Sequence, residues 1–192
     1  MTRKTIFFDV DGVLADFVTG FTSLANNLFG TPILGVTEME RFDHWHDFLD
    51  QKQCDIVWEK IFNSYDFWVN LNHLLSEKEV EILSHLAHEN NLYFVTDRKS
   101  DVMNPSVATS YWLQKKFNIY HAQVIATNNK VDIARALKPS FAIDDKADYA
   151  LGYLRITGIK SYLFNRNYNK DWWDNVNIGH VNSVEEFIKE AS

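Results

Sequence analysis

Two aspartates one residue apart end an apolar run near the start of the chain, in Thr5-Ile6-Phe7-Phe8-Asp9-Val10-Asp11-Gly12. A run such as Ile6-Phe7-Phe8 reads as a strand buried on both faces. Carboxylates at the carboxyl end of such a strand are costly unless a cation, protons or hydrogen bonds compensate them. In open parallel sheets that end is also where ligands bind. The pattern predicts a metal-dependent site with Asp9 as nucleophile. Matching chemistry recurs along the chain. A second apolar run ends in Thr96-Asp97-Arg98, Lys130 opens a short helical pattern after a third, and Ile143 is followed by Asp144-Asp145. Together these make an anionic cradle for a divalent cation, with a hydroxyl and an ammonium suited to phosphate. Mg²⁺ prefers a few carboxylate oxygens with water and a substrate phosphate. A carboxylate beside it stays ionised and can attack phosphorus, forming an aspartyl-phosphate. The cation and Lys130 would neutralise charge on the transferring group. Asp11 is placed to protonate the leaving oxygen and then deprotonate water. Gly12 frees the backbone to turn sharply and bring N–H groups toward the phosphate.

Strands must carry these residues and helices must separate them. Asp16 to Phe29 has apolar residues at helical spacing, closed by Gly30. From Thr31 to about Asn72 the chain is rich in aromatics and acids, without a convincing strand, and Gln53 to Asn63 reads as a short amphipathic helix. This stretch is expected to be a small helical insertion above the first turn, its aromatics forming a mini-core. Ser76 and Glu79 make a capping-box pair for a helix to Asn90. Leu92–Thr96 is a strand, and Pro105 opens a helix to Phe117 with Val107, Tyr111 and Trp112 expected inward. His121–Thr127 follows as a strand and Val131–Leu137 as a helix. Ser140–Ile143 and Lys160–Phe164 are further strands, with a helix from Lys146 to Leu154 between them. Ser183, with Glu186, caps a last helix. The alternation implies an α/β fold, a doubly wound parallel sheet. The Asn- and Trp-rich stretch 165–177 reads as a surface loop without an assigned role.

At 192 residues and 46% apolar content, the chain can bury a full core as one domain with a modest insertion. A net charge of −7 argues against extended nucleic-acid binding, yet it leaves room for a small anion held locally. Cys54, the single cysteine, cannot form an internal disulfide and reads as a small buried hydrophobe. No run is long enough to span a membrane, and the Met1 segment lacks a signal-peptide core. A reducing, cytoplasmic setting is expected, and a homodimer is left open.

Each motif has a plainer reading. Asp-x-Asp-Gly is often a solvated turn, Asp-Asp after a strand often a helix cap, Thr96 a strand end and Lys130 a solvated lysine. Four in this order, three at strand ends, favour a site. Phe17, Phe67 and Trp68 stand between core packing and stacking on a base, whereas Trp45 and Trp58 lean toward packing. His44 and His46 lack a third ligand and read as solvated or capping.

The ordered set Asp9-Val-Asp11-Gly12-Val-Leu, Thr96, Lys130 and Ile143-Asp144-Asp145 resembles the four motifs of haloacid dehalogenase superfamily phosphohydrolases. The resemblance covers nearly the whole chain. The string Asp11-Gly-Val-Leu-Ala-Asp-Phe17 is similar to the 5'(3')-deoxyribonucleotidases, as are Asp66-Phe67-Trp68-Val69-Asn70-Leu71 and Ile143-Asp-Asp-Lys146. It implies a Rossmann-like core of residues 1–16 and 73–192 with a helical cap of residues 17–72. Asp9 would be the nucleophile and Asp11 the acid/base, its backbone carbonyl also on Mg²⁺. Thr96 and Lys130 would hold phosphate, Asp145 would ligate the metal, and Asp144 would orient Lys130 or a water. Where members carry serine and proline after the threonine, this chain has Asp97 and Arg98. Both are substrate-side candidates, Arg98 either on phosphate or paired with an acid on the cap. The implied activity is Mg²⁺-dependent hydrolysis of (deoxy)ribonucleoside monophosphates. Alternatives are a phosphatase for another small ester or a nucleic-acid 3'-phosphate, and a receiver that accepts phosphoryl without turnover. Receivers place the acidic pair first, the reverse of this chain.

Overall fold

The computed structural model describes residues 3–191, so residues 1, 2 and 192 of the expected core lie outside it. Six strands form one sheet: β1 (Thr5–Phe8), β2 (Asn91–Thr96), β3 (Gln123–Ala126), β4 (Phe141–Asp144), β5 (Lys160–Phe164) and β6 (Gly179–Val181). Their order is β3-β2-β1-β4-β5-β6, and each adjacent pair is parallel. The chain builds outward from β1 through β2 and β3, then returns to the other side of β1 for β4. The strand order therefore reverses at β1, where ligands bind in such sheets. Phe8 pairs with both Phe94 and Ile143, and Asp9 N–H donates to Ile143 O at 3.0 Å. That register brings Asp9 and Asp144 to the same edge.

The doubly wound arrangement follows from the two-sided burial of β1. Ile6 and Phe8 join a core with Phe94, Ile143, Trp112 and Phe187, whereas Phe7 packs with Val95, Ala142 and Tyr153. The first face is covered by α4 (Glu77–Glu89), α5 (Pro105–Phe117) and α8 (Val184–Ala191), and the second by α6 (Lys130–Leu137) and α7 (Ala147–Leu154). Helix α1 (Phe17–Phe29) begins where the Asp16 carboxylate accepts from Thr19 N–H and stops at Gly30, whose φ is 70°.

Several sequence expectations are corrected. On α5, Trp112 is buried, but Val107 and Tyr111 are exposed; the inward face is Ala108, Thr109, Trp112 and Leu113, one helical step away. Helix α2 (Gln51–Phe62) starts earlier than expected because Asp50 and Gln53 form a capping box. A further helix, α3 (Tyr65–Asn70), opens at Ser64. The insertion has no separate mini-core: Trp45, Cys54, Val57, Ile61 and Trp68 belong to the same hydrophobic cluster as Phe8 and Trp112. The stretch 165–177 is not a plain surface loop, since its 3₁₀ turn (Asn167–Trp172) returns to the sheet edge before β6. Among the described residues, no helix is long and apolar enough to cross a membrane.

Candidate active site

Asp9 lies one residue past β1, and Lys130 opens α6 just after β3. Lys130 Nζ sits 2.7 Å from Asp9 Oδ1 and 2.9 Å from Asp144 Oδ2, with all three side chains buried. Asp9 Oδ1 also accepts Val10 N–H at 2.6 Å. Asp144 is held further by Lys146 N–H at 2.9 Å and Tyr153 O–H at 3.4 Å. It does not line the cavity described below and meets Lys130 from behind.

Asp145 completes the group. One oxygen each of Asp9, Asp144 and Asp145 lies within 4.8 Å of the others. Tyr168 O–H donates to Asp145 Oδ2, while Oδ1 is buried with no hydrogen-bond partner. Three buried carboxylates thus face a single ammonium. The electrostatics register that imbalance. Burial and the Asp9 charge push Asp144 up to about 6, with Lys130 offsetting part of the rise. Burial, Asp9 and Asp144 together drive Asp145 well above the ordinary range, against the Tyr168 bond and Lys130. Burial disfavours the Lys130 charge, but Asp144 and Asp9 prevail and raise its pKa, so it remains an ammonium. An orphaned oxygen within an under-compensated trio of carboxylates fits a hard divalent cation.

Gly12 is required by this packing. Its φ is 84°, and a Cβ there would overlap Asp145 Oδ2 and lie 2.9 Å from the Tyr168 hydroxyl. Its own N–H donates to Ala15 O at 3.0 Å, within the turn, and so is not free for phosphate. Arg166 Nε and Nη2 donate to Gly12 O at 2.8 and 2.6 Å. Asn169 Nδ2 donates to Asp145 O and Phe164 O, each at 2.8 Å. The segment after β5 therefore braces both the first turn and Asp145. Sequence reading missed Arg166, Tyr168 and Asn169. The signal available was their position, polar residues just past the carboxyl end of a buried strand.

Asp11 stands apart from the trio. Its carboxylate is gripped by Arg98, with Nε 2.9 Å from Oδ2 and Nη2 2.7 Å from Oδ1, and Thr96 Oγ1 lies 3.3 Å from Oδ2. Arg98 thus pairs with an acid on the first turn, not one on the insertion.

A cavity of about 510 Å³ opens over these groups. Asp9, Asp11, Gly12, Thr96, Asp97, Arg98, Lys130 and Asp145 line it, together with Phe17, Met39, Phe42, Trp45, Trp58 and Trp68 from the insertion. Phe17 is stacked between two indoles, 5.6 Å from Trp58 and 6.0 Å from Trp68. Trp45 and Trp58 both pack and line the cavity. Phe67 lies outside it, edge-on to Phe17 and Trp68. His44 and His46 contact Asp47 and Cys54 respectively, away from the acidic trio.

The family model for "5' nucleotidase, deoxy (Pyrimidine), cytosolic type C protein" matches residues 3–191. A nucleotidase from Clostridium acetobutylicum is 27% identical over 172 residues, covering 88% of this chain and 84% of its own. Among solved structures, a haloacid dehalogenase-like hydrolase from Streptococcus pneumoniae superposes with a TM-score of 0.64 at 15% identity, covering 99% of each chain. The HAD-hydrolase YfnB from Bacillus subtilis, bound to magnesium, gives 0.60 at 13% identity over 98% of this chain and 99% of its own. These structural likenesses show the fold. With the family match spanning nearly every residue, the chain belongs to the cytosolic type C 5' nucleotidase family, and is a nucleotidase-like phosphoric monoester hydrolase on the haloacid dehalogenase fold.

Proposed function

We propose that the protein hydrolyses (deoxy)ribonucleoside monophosphates to nucleoside and phosphate, with Mg²⁺, through an aspartyl-phosphate on Asp9. The observation that carries this is Asp9 itself. Its Oδ1 is held by Lys130 and Val10 N–H, and the residue lines the cavity, which supports Oδ2 as the oxygen that meets the substrate. In the first step Asp9 Oδ2 bonds to phosphorus as the bond to the nucleoside oxygen breaks, and Asp11 gives that oxygen a proton. In the second, a water oxygen bonds to phosphorus, Asp11 takes its proton, and the Asp9–phosphorus bond breaks. Lys130 would hold one phosphoryl oxygen, and Thr96 another by turning its hydroxyl from Asp11 Oδ2 toward the bound phosphate. Asp9, Asp145 and the Asp11 backbone carbonyl would hold Mg²⁺, which when bound supplies positive charge beside those oxygens.

We assign residues 17–72 as the cap over a core of 1–16 and 73–192. Phe17, Trp58 and Trp68 line the part of the cavity where a base would lie, and the walls around them exclude water from the reacting centre. Asp97 lines the same cavity on the substrate side.

The test is a hydrolysis screen over nucleoside monophosphates and sugar phosphates with Mg²⁺. Nucleotides, deoxynucleotides first, are expected to be the preferred substrates, with activity lost in EDTA and restored by Mg²⁺. Asp9→Asn should lower turnover by about a thousandfold or more while the protein stays folded. A sugar-favouring profile, or full activity in chelator, contradicts the reading.

A further inference from the structure

Arg98 is 4% exposed, and a buried guanidinium needs its partners close at hand. Nε and Nη2 fork onto Asp11, and Nη1 donates to Thr109 Oγ1 at 3.2 Å. The guanidinium carbon lies 5.0 Å from the Trp68 ring centre and 5.4 Å from that of Trp112. Both indoles pack against the guanidinium, and Trp112 is itself fixed by its Nε1–H bond to Leu71 O at 2.8 Å. Asp11 is less confined. Its side chain is 24% exposed and lines the cavity.

A carboxylate on a short turn would ordinarily rotate freely about its last bond. Two parallel N–H contacts from a rigid fork remove that freedom, which a single point charge would not do. Thr96 adds a third contact on Oδ2. Meanwhile Lys130, not Arg98, is the cation beside Asp9.

The geometry points to Arg98 as a positioning residue that acts on the reaction through Asp11, and not as a binder of substrate phosphate. The inference rests on the phosphomonoesterase reading above, in which Asp11 moves the proton. Arg98 sets where that carboxyl stands. Through Trp68, whose ring also stacks on Phe17, the fork is in contact with the aromatic wall that would meet the base.

The experiment compares the full-length wild type with Arg98→Met, Arg98→Lys, Asp11→Asn and the Asp11→Asn/Arg98→Met double variant. Each is assayed with dTMP and Mg²⁺, with inorganic phosphate as inhibitor, and its melting temperature is recorded. Arg98→Met should lower kcat about tenfold or more, while KM and phosphate inhibition stay within about threefold. Arg98→Lys keeps the charge without the fork and should regain only part of the loss. In the Asp11→Asn background, Arg98→Met should cost less than about threefold further, since the group it acts through is gone. If Arg98→Met does not fold, Arg98→Lys in both backgrounds makes the same comparison. Weakened phosphate inhibition matching the lost activity would reassign Arg98 to phosphate binding. Losses that multiply, or an Arg98→Met enzyme as fast as wild type, would likewise overturn the inference. A slow Asp11→Asn beside a fast Arg98→Met rejects only the positioning role. An undiminished Asp11→Asn rejects the proton step of the underlying reading as well.

Discussion

At Asp145 one carboxylate oxygen is held by the protein and the other is left without a partner. Tyr168 takes Oδ2, Asn169 takes the backbone carbonyl, and Oδ1 is left bare inside the acidic trio. Burial and the Asp145 charge push the Tyr168 phenol well above its usual range, so it remains a donor. Partners of this kind fix the direction of a ligand, and their removal weakens metal binding about tenfold to a hundredfold. Tyr168→Phe should therefore reduce Mg²⁺ affinity by about tenfold in calorimetric titration, with little change in melting temperature of the metal-free protein. Unchanged affinity would mean that Asp145 is oriented by packing alone. That Asp9, Asp11, Thr96, Lys130, Asp144 and Asp145 gather at one end of the sheet was legible in the sequence, because polar residues interrupt the apolar strands there. The Arg98–Asp11 pair was not, because it joins residues on different strands and depends on two indoles from separate helices. Tyr168 was hidden in a stretch with no periodicity.

Among the elements, α4 shows how much one cap can hold. The Glu79 carboxylate accepts from Ser76 N–H at 2.9 Å and Ser76 O–H at 2.7 Å, closing the start of α4. It also accepts from Val184 N–H at 2.9 Å, at the start of α8. Burial opposes its ionisation, but the bonds from Ser76, Glu185 and Val184 prevail and hold its pKa below the ordinary glutamate value. A carboxyl whose folded pKa is lowered contributes stability above its unfolded value, and that contribution is lost as pH falls through the folded value. Glu79→Ala should cost about 1–2 kcal/mol at neutral pH. The melting-temperature gap to wild type should close as pH falls below the ordinary carboxylate range. A gap independent of pH would show that the charge is not what holds the two helices. The Ser76–Glu79 pair was readable from spacing alone, whereas its reach to α8 required the fold. Helix α3 and strand β6 were missed for a simpler reason: six and three residues carry too little periodicity to announce themselves.

At the scale of the whole molecule, the parallel sheet was legible from its alternating buried runs. The reversal of strand order at β1 was not, since no local pattern encodes which strands become neighbours. That reversal brings Asp9 beside Asp144 and sets the cavity above them. The stretch 17–72 is not an appendage: its aromatics continue the core that covers one face of the sheet, so the cavity wall and the sheet beneath it share one packed body. Four motifs in order, not the first turn alone, carried the resemblance that suggested the reaction, and the proposed role of Asp9 is supported by its place beside Lys130 within the acidic trio. The decisive measurement is to quench the enzyme in acid during turnover of a nucleotide carrying labelled phosphate, then to map the label by peptide. Label on the peptide holding Asp9, absent from Asp9→Asn, is the result expected; rapid phosphate release with no label on Asp9 would contradict covalent catalysis by this residue.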